Sequence, residues 1–374
     1  MEKIKLGFAP TRRFVFSKED ALKFKHLIRE KIESFGLGLE IVDLEGINEE
    51  GLLHERLEEP AIIKRFRDAE VDALFFPHCN FGTEDIVARV AKAIGKPVLL
   101  WGPRDEAPLE DGMRLRDTQC GIFATGKVLR RFNVKFTYIT NCTVDSPVFE
   151  RGFKNFIGAA NVVKQFNNLR ILQISTRPSD FWSVICNEGE LLETFGIQIH
   201  PITLEELKKI TLKIGKTDSP ELDEAMGYIK EKLDWSGVTE QDVRRIASLK
   251  VAMKQLANDT RSTAIAIQCW STLQDIIGIM PCLANAILTD EQIPVTCETD
   301  IHGAITSIMV QAATMNTQPT FFADITIRHP ENPNGELLFH CGNFPVSLSV
   351  EEKPKLNKHF LFDDHSPGTH EGEI

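Results

Sequence analysis

Ala73-Leu74-Phe75-Phe76-Pro77-His78-Cys79-Asn80-Phe81-Gly82-Thr83-Glu84-Asp85, running on to Val98-Leu99-Leu100-Trp101, carries the clearest structural pattern in the chain. Residues 73–76 are apolar without alternation, which reads as a strand buried on both faces. A polar turn follows. Residues 84–94 have helical periodicity, and 98–101 form a second buried strand. Strand, helix and strand in this order imply parallel strands joined by a crossover. Outward from there, 5–10 and 40–44 read as strands, and 18–35 and 59–69 as helices.

A second unit of the same kind begins near Arg170. Residues 170–175, 197–201 and 264–268 are strand-like. Helices are expected from Phe181, across 219–258 and from Ser271. Residues 293–297, 302–315 and 320–327 are expected to form a further strand, helix and strand. From Pro330 the texture changes. Asn332-Pro333-Asn334-Gly335 is a hairpin-type turn between short β-like runs. The expected fold is therefore α/β: two Rossmann-like, doubly wound parallel-sheet domains over 1–169 and 170–329, then the start of a β-rich, barrel-like domain over 330–374.

Composition narrows the function. The 374 residues carry a net charge of -11, with 42% hydrophobic and 26% charged residues, the balance of a soluble globular protein. No concentrated basic surface offers itself to phosphates, so nucleic acid is not the expected partner. No apolar run reaches the ~20 residues that span a bilayer, and the opening leads straight into a strand without a signal-peptide pattern. Eight cysteines are scattered without a CxxC pair, which reads as reduced thiols in a cytoplasmic protein. Neither GxGxxG nor GxxxxGK[ST] occurs, which weakens nucleotide-binding readings.

The best chemical constellation is Cys297-Glu298-Thr299-Asp300, then Ala323-Asp324, then His340. Glu298 follows a β-like run, and Asp324 falls one crossover helix later. Were those strands parallel neighbours, both carboxylates would converge at the carboxyl edge of the sheet, where ligands bind. Asp324 follows three apolar residues, and a buried unpaired carboxylate is costly. A divalent cation relieves that cost. Two carboxylates with a histidine suit Mn²⁺, Fe²⁺ or Co²⁺ better than a closed structural zinc site. The competing reading is that an Asp at a strand end caps a helix or pairs with a cation. Two turns of the first unit also attract notice: residues 77–85, where Thr83 is placed to cap a helix, and Trp101-Gly102-Pro103-Arg104 after the next strand.

Taken together, these segments resemble the L-fucose/L-arabinose isomerase superfamily. Pro10-Thr11-Arg12-Arg13 resembles the arginine-bearing loop after the first strand, and residues 77–84 the Gly-Ser/Thr-Glu turn. Residues 297–300 resemble the Glu-x-Asp segment with its metal-binding glutamate, Ala323-Asp324 the second acidic ligand, and Leu338-Phe339-His340 the place of a histidine ligand in the arabinose branch. The resemblance implies an aldose–ketose isomerase using an enediol on a pentose or deoxyhexose, with Mn²⁺ or a related ion such as Co²⁺ or Fe²⁺. Glu298 and Asp324 would hold the metal and shuttle the proton, with His340 as a third ligand. Arg12, Arg13, Cys79, Asn80, Trp101 and Gln268 are the candidate sugar contacts. A homo-trimer or homo-hexamer is implied, with the sugar at a subunit interface. The family's last histidine ligand is expected well beyond position 374, and neither His365 nor His370 has its context, so the chain is expected to stop before that domain is complete. A cytoplasmic two-lobed sugar-binding protein and an inactive isomerase homologue are the alternatives.

Overall fold

The computed structural model describes residues 3–359 and 366–374; His365 lies outside the described residues. The chain divides into two compact units, Met1–Lys164 and Gln165–Ile374.

In the first unit the elements are β1 (Lys5–Phe8), α1 (Lys18–Ser34), β2 (Glu40–Val42), α2 (Glu59–Asp68), β3 (Ala73–Pro77), α3 (Glu84–Ile94), β4 (Val98–Trp101), α4 (Thr118–Arg131), β5 (Thr137–Tyr138) and α5 (Pro147–Phe166). The five strands are parallel in the order β2-β1-β3-β4-β5. β3 and β4 are buried at every position, as an unbroken apolar run requires when helices cover both faces. One face carries an aromatic cluster, with Trp101 stacked on Phe149 at 3.9 Å and Phe153 at 5.5 Å from Phe75. The strand order reverses between β1 and β3, so the loops after these two strands flank the crevice where such sheets bind ligands.

The second unit runs β6 (Arg170–Ile174), α6 (Glu188–Phe195), β7 (Gln198–Ile202), α7 (Leu204–Gly215), α8 (Pro220–Lys232), α9 (Glu240–Thr260), β8 (Ala264–Ile267), α10 (Thr272–Ile277), α11 (Cys282–Asp290), β9 (Val295–Thr296) and α12 (Ile301–Ala313). Its sheet is also parallel, in the order β7-β6-β8-β9. Counted from each unit's first strand, that is the same order as β2-β1-β3-β4. The charged stretch 219–258 is two helices rather than one, because Thr239 starts α9 with a capping box closed by Asp242. The helix expected from Phe181 begins at Glu188, where Asn187 supplies the cap.

Among the described residues four further strands follow: β10 (Asp324–Arg328), β11 (Glu336–Phe339), β12 (Lys355–Lys358) and β13 (Pro367–Glu371). They form two antiparallel ladders, β10 with β11 and β12 with β13. This corrects the expected parallel neighbour of β9. The strand after α12 pairs with β11 across the 332–335 turn, because a short hairpin loop costs less closure entropy than a long crossover. β10 is exposed at all five positions, so Asp324 is not the buried carboxylate its apolar neighbours implied. Residues 330–374 lie within the second unit, and Val346 and Leu356 join its core.

Candidate active site

In the first unit the two crevice loops are laced together. The Asn80 Oδ1 accepts from the Arg13 backbone N–H at 2.7 Å, and its Nδ2 donates to the Ser17 carbonyl at 3.2 Å. Thr83 occupies the cap position of α3 but makes no side-chain cap bond. Its hydroxyl instead bonds the Thr11 hydroxyl at 2.9 Å and the Leu53 carbonyl at 3.2 Å. Arg12 is buried and held by Glu50 through Nε at 2.5 Å and Nη2 at 2.9 Å. Arg13 stacks on Phe81 at 4.1 Å and donates to the Gly82 carbonyl at 2.9 Å. Of the expected sugar contacts, Cys79, Asn80 and Trp101 are all fully buried. Burial pushes the Cys79 thiol up to about 12, so that sulfur is a neutral core group. His78 was not singled out by spacing. It is fully buried with Nδ1 on the Phe81 carbonyl at 2.7 Å, and burial lowers it to about 4.

In the second unit the chemistry gathers at the carboxyl ends of β8 and β9. Glu298 and Thr299 both adopt left-handed backbone, at φ 54° and 57°. Two consecutive non-glycine residues there cost on the order of 1–2 kcal/mol each. The turn is held by the Thr299 N–H on the Ile267 carbonyl at 3.1 Å and by the Thr296 hydroxyl on the Asp300 carbonyl at 2.8 Å. Asp300 then caps α12, its Oδ1 accepting from the Gly303 N–H at 2.9 Å. The acidic second residue of the motif thus builds the turn that presents the first. Asp300→Ala is expected to lower stability by about 1 kcal/mol, as lost caps do, read by urea unfolding.

Among the described residues Glu298 has no ion pair; its Oε1 accepts from the Cys269 thiol at 3.3 Å. Burial is the main cause that raises its carboxyl to about 7, the His340 imidazole opposes the rise, and Asp324 adds slightly to it. His340 follows β11, and the ladder register sets Asp324 opposite Phe339, one residue before it. Burial alone would lower the His340 imidazole, but the neighbouring Cys341 thiol and the Glu298 and Asp324 carboxylates hold it raised. Glu298 and His340 therefore each feel the other's charge and that of Asp324. The donors drawn closest, however, are Cys269, Cys297 and Glu298, whose ligand atoms lie within 4.8 Å of one another; Asp324 and His340 stand outside that group. No cysteine spacing signalled these thiols, because only strand pairing brings residues 269 and 297 together. Gln268 bridges to the loop after β6, its Oε1 accepting from the Ser175 hydroxyl at 2.7 Å. A cleft of about 390 Å³ opens beside Thr299, with Gln173, Arg177 and Glu188 on its walls. His370 is a buried core group on the Phe344 carbonyl at 2.8 Å.

The raised carboxyl makes stability depend on pH. A group whose folded value exceeds its ordinary one stabilises fully below the ordinary value and loses that contribution as pH rises through the folded one. Glu298 should therefore cost the metal-free protein up to about 3 kcal/mol between pH 4.5 and 7. Comparing urea unfolding of wild type and Glu298→Gln across that range reads this effect together with the smaller change at His340, which Glu298 helps to hold raised. His78 and His370, both lowered to about 4, act with the opposite sign in both proteins and cancel.

Residues 7–167 match the fucose/sulfoquinovose isomerase N-terminal domain. Over these residues the chain is similar to that family. A sulfoquinovose isomerase from Priestia aryabhattai is 24% identical over 283 residues, covering 75% of this chain and 61% of that protein. One from Alkalicoccus urumqiensis is 25% identical over 282 residues with the same coverage. The chain thus spans about three fifths of the length of these relatives. Among solved structures, a periplasmic solute-binding protein from Actinobacillus succinogenes with bound D-allose covers 85% of this chain and 94% of that one, at 11% identity and a TM-score of 0.21, a value that establishes no shared fold.

Proposed function

We propose that this protein is an aldose–ketose sugar isomerase of the fucose/sulfoquinovose isomerase kind, working through a cis-enediol with a divalent cation, Mn²⁺ or a close relative. The observation that carries the proposal is Glu298. Its carboxyl is brought to about 7 by burial in a strained turn at the carboxyl edge of a parallel sheet, where catalytic groups of such sheets collect. Buried without an ion pair among the described residues, this carboxyl resists charging until a cation or a transferred proton neutralises it, which suits a group that must both bind an ion and take up a proton.

Glu298 would remove the proton from C2 of the aldose and deliver it to C1. Asp324 and His340, near enough to shift the Glu298 carboxyl, would complete the ligand set and hold the sugar's carbonyl end in register. Two carboxylates and an imidazole fit the donor preference of Mn²⁺, Fe²⁺ or Co²⁺, and a half-buried carboxylate without an ion pair is a group such an ion stabilises. When bound, the ion supplies Lewis-acid stabilisation of the charge that develops on O1 and O2. Gln268 and Arg177 flank the same sheet edge and are assigned to the sugar hydroxyls.

Sulfoquinovose, named in the relatives, is the first substrate to try, followed by L-fucose, L-arabinose and D-arabinose. Assembly as a trimer or hexamer belongs to the same reading. Phe14 and Val15, 82% and 64% exposed directly after Arg13, are apolar groups suited to a subunit contact. Eight free cysteines fit the reducing cytoplasm, and among the described residues no helix is long and apolar enough to cross a membrane. The test is solvent deuterium exchange at the aldose C2, followed by NMR with Mn²⁺ present. Exchange with one of the four sugars supports the assignment; no exchange with any of them refutes it.

A further inference from the structure

On the sheet side of Glu298 stands a second set of donors. Cys269 lies two residues beyond β8 and Cys297 directly follows β9, and the parallel pairing of these strands carries both thiols to one edge. Both are buried, at 2% and 0% exposure. Their sulfurs and a Glu298 oxygen all lie within 4.8 Å of one another, and Cys269 Sγ stands 3.3 Å from Glu298 Oε1. Two amides aim N–H groups at the Cys297 sulfur, Asn343 Nδ2 at 3.4 Å and Asn285 Nδ2 at 3.8 Å. The neighbouring Cys269 thiol and burial keep Cys297 protonated in the free protein; the amide N–H groups would serve the thiolate that a bound cation creates.

The spacing has a chemical meaning. Tetrahedral zinc with sulfur at about 2.3 Å and oxygen at about 2.0–2.2 Å sets neighbouring donors roughly 3.5–3.8 Å apart. We propose that Cys269, Cys297 and Glu298 form a binding site for a borderline or soft divalent cation of the Zn²⁺, Co²⁺ and Cd²⁺ class. Two thiolates select this class over Mn²⁺ and Mg²⁺. Binding forms two metal–sulfur bonds and one metal–oxygen bond and releases to solvent the two thiol protons and, where the Glu298 carboxyl is protonated, its proton as well. The three anionic donors and the cation leave one net negative charge, which the Asn285 and Asn343 amides offset. This site does not require the isomerase reading. If that reading also holds, the two sites compete for the Glu298 carboxylate.

The test is a titration of the whole, reduced protein with Co²⁺ in the absence of sugar. The expected result is a thiolate-to-cobalt charge-transfer band in the near ultraviolet with strong visible bands of a four-coordinate ion. Both should saturate at one equivalent and bleach on adding Zn²⁺. Cys269→Ser and Cys297→Ser should each lose the charge-transfer intensity and weaken Co²⁺ binding at least about tenfold, whereas Cys282→Ser keeps both. No thiolate band from the folded wild-type protein, or a band that survives both serine variants, overturns the assignment. Should a variant not fold, a zinc-edge anomalous map of wild-type crystals decides. A peak between the sulfurs of Cys269 and Cys297 upholds the site, and a peak elsewhere or none removes it. Mn²⁺-dependent exchange at the sugar is read separately, so either proposal can fail without the other.

Discussion

Glu298→Gln is expected to reduce isomerisation at least about a thousandfold while leaving the fold intact. Loss of a positioned proton-transfer group alone costs about a hundred- to ten-thousandfold, and here the same side chain is also assigned to the metal. Gln preserves shape and keeps one oxygen acceptor, so Cys269 retains a partner at the position it now bonds at 3.3 Å. The variant should even be more stable than wild type near pH 7 without metal, because a carboxyl raised to about 7 is replaced by a group that never has to charge in a buried place. Lower activity with equal or higher stability is the pattern expected of a residue held against its own solvation for function. Steady-state kinetics with thermal unfolding on the same samples read both halves. Undiminished turnover would take Glu298 out of the chemistry.

Gly121→Ala is expected to be the most damaging small substitution in the first unit. A Cβ at Gly121 would stand 1.8 Å from the Phe81 carbonyl oxygen and 2.6 Å from its carbon. Those are backbone atoms of the crevice loop, with no flexible side chain to yield. Either α4 or the loop must move, at a cost of about 3 kcal/mol. The displacement reaches Arg13, which stacks on the Phe81 ring at 4.1 Å, and Phe16, stacked on the same ring at 5.5 Å. Gly227→Ala in α8 is the control: nothing lies within 4 Å of its added Cβ, and Ala there should stabilise by up to about 1 kcal/mol through helix propensity. The same substitution thus has opposite signs at two helical positions, checked by urea unfolding of both.

Much of the framework is legible without coordinates. α3 at Glu84–Ile94 and β4 at Val98–Trp101 match the spans read from the sequence, because an unbroken apolar run bounded by a polar turn and Gly95-Lys96-Pro97 leaves few alternatives. The Glu298 turn is legible for the same reason, as an acid placed directly after a buried strand. Pairing is less legible. Of the expected strand 320–327 only residues from Asp324 on are β, and they pair antiparallel, since partner choice depends on a hairpin's entropy and not on the strand's own composition. Burial of single polar residues is less legible still. Asn80 looks like a ligand contact by type, yet its amide is consumed in tying the Arg13 loop to its own. The left-handed backbone at Glu298 and Thr299 leaves no trace in composition, because neither residue is a glycine. The pairing of Cys269 with Cys297 spans twenty-eight positions and follows only from β8 lying beside β9.

The account turns on whether Glu298, Asp324 and His340 serve a single ion, and Mn²⁺ binding followed by electron paramagnetic resonance asks this most directly. The wild-type protein should take up one Mn²⁺. Glu298→Gln, Asp324→Asn and His340→Ala should each weaken that uptake at least about tenfold, while Asp300→Asn, at the helix cap, should leave it within about twofold. Equal Mn²⁺ affinity in wild type and all three ligand variants would contradict the account.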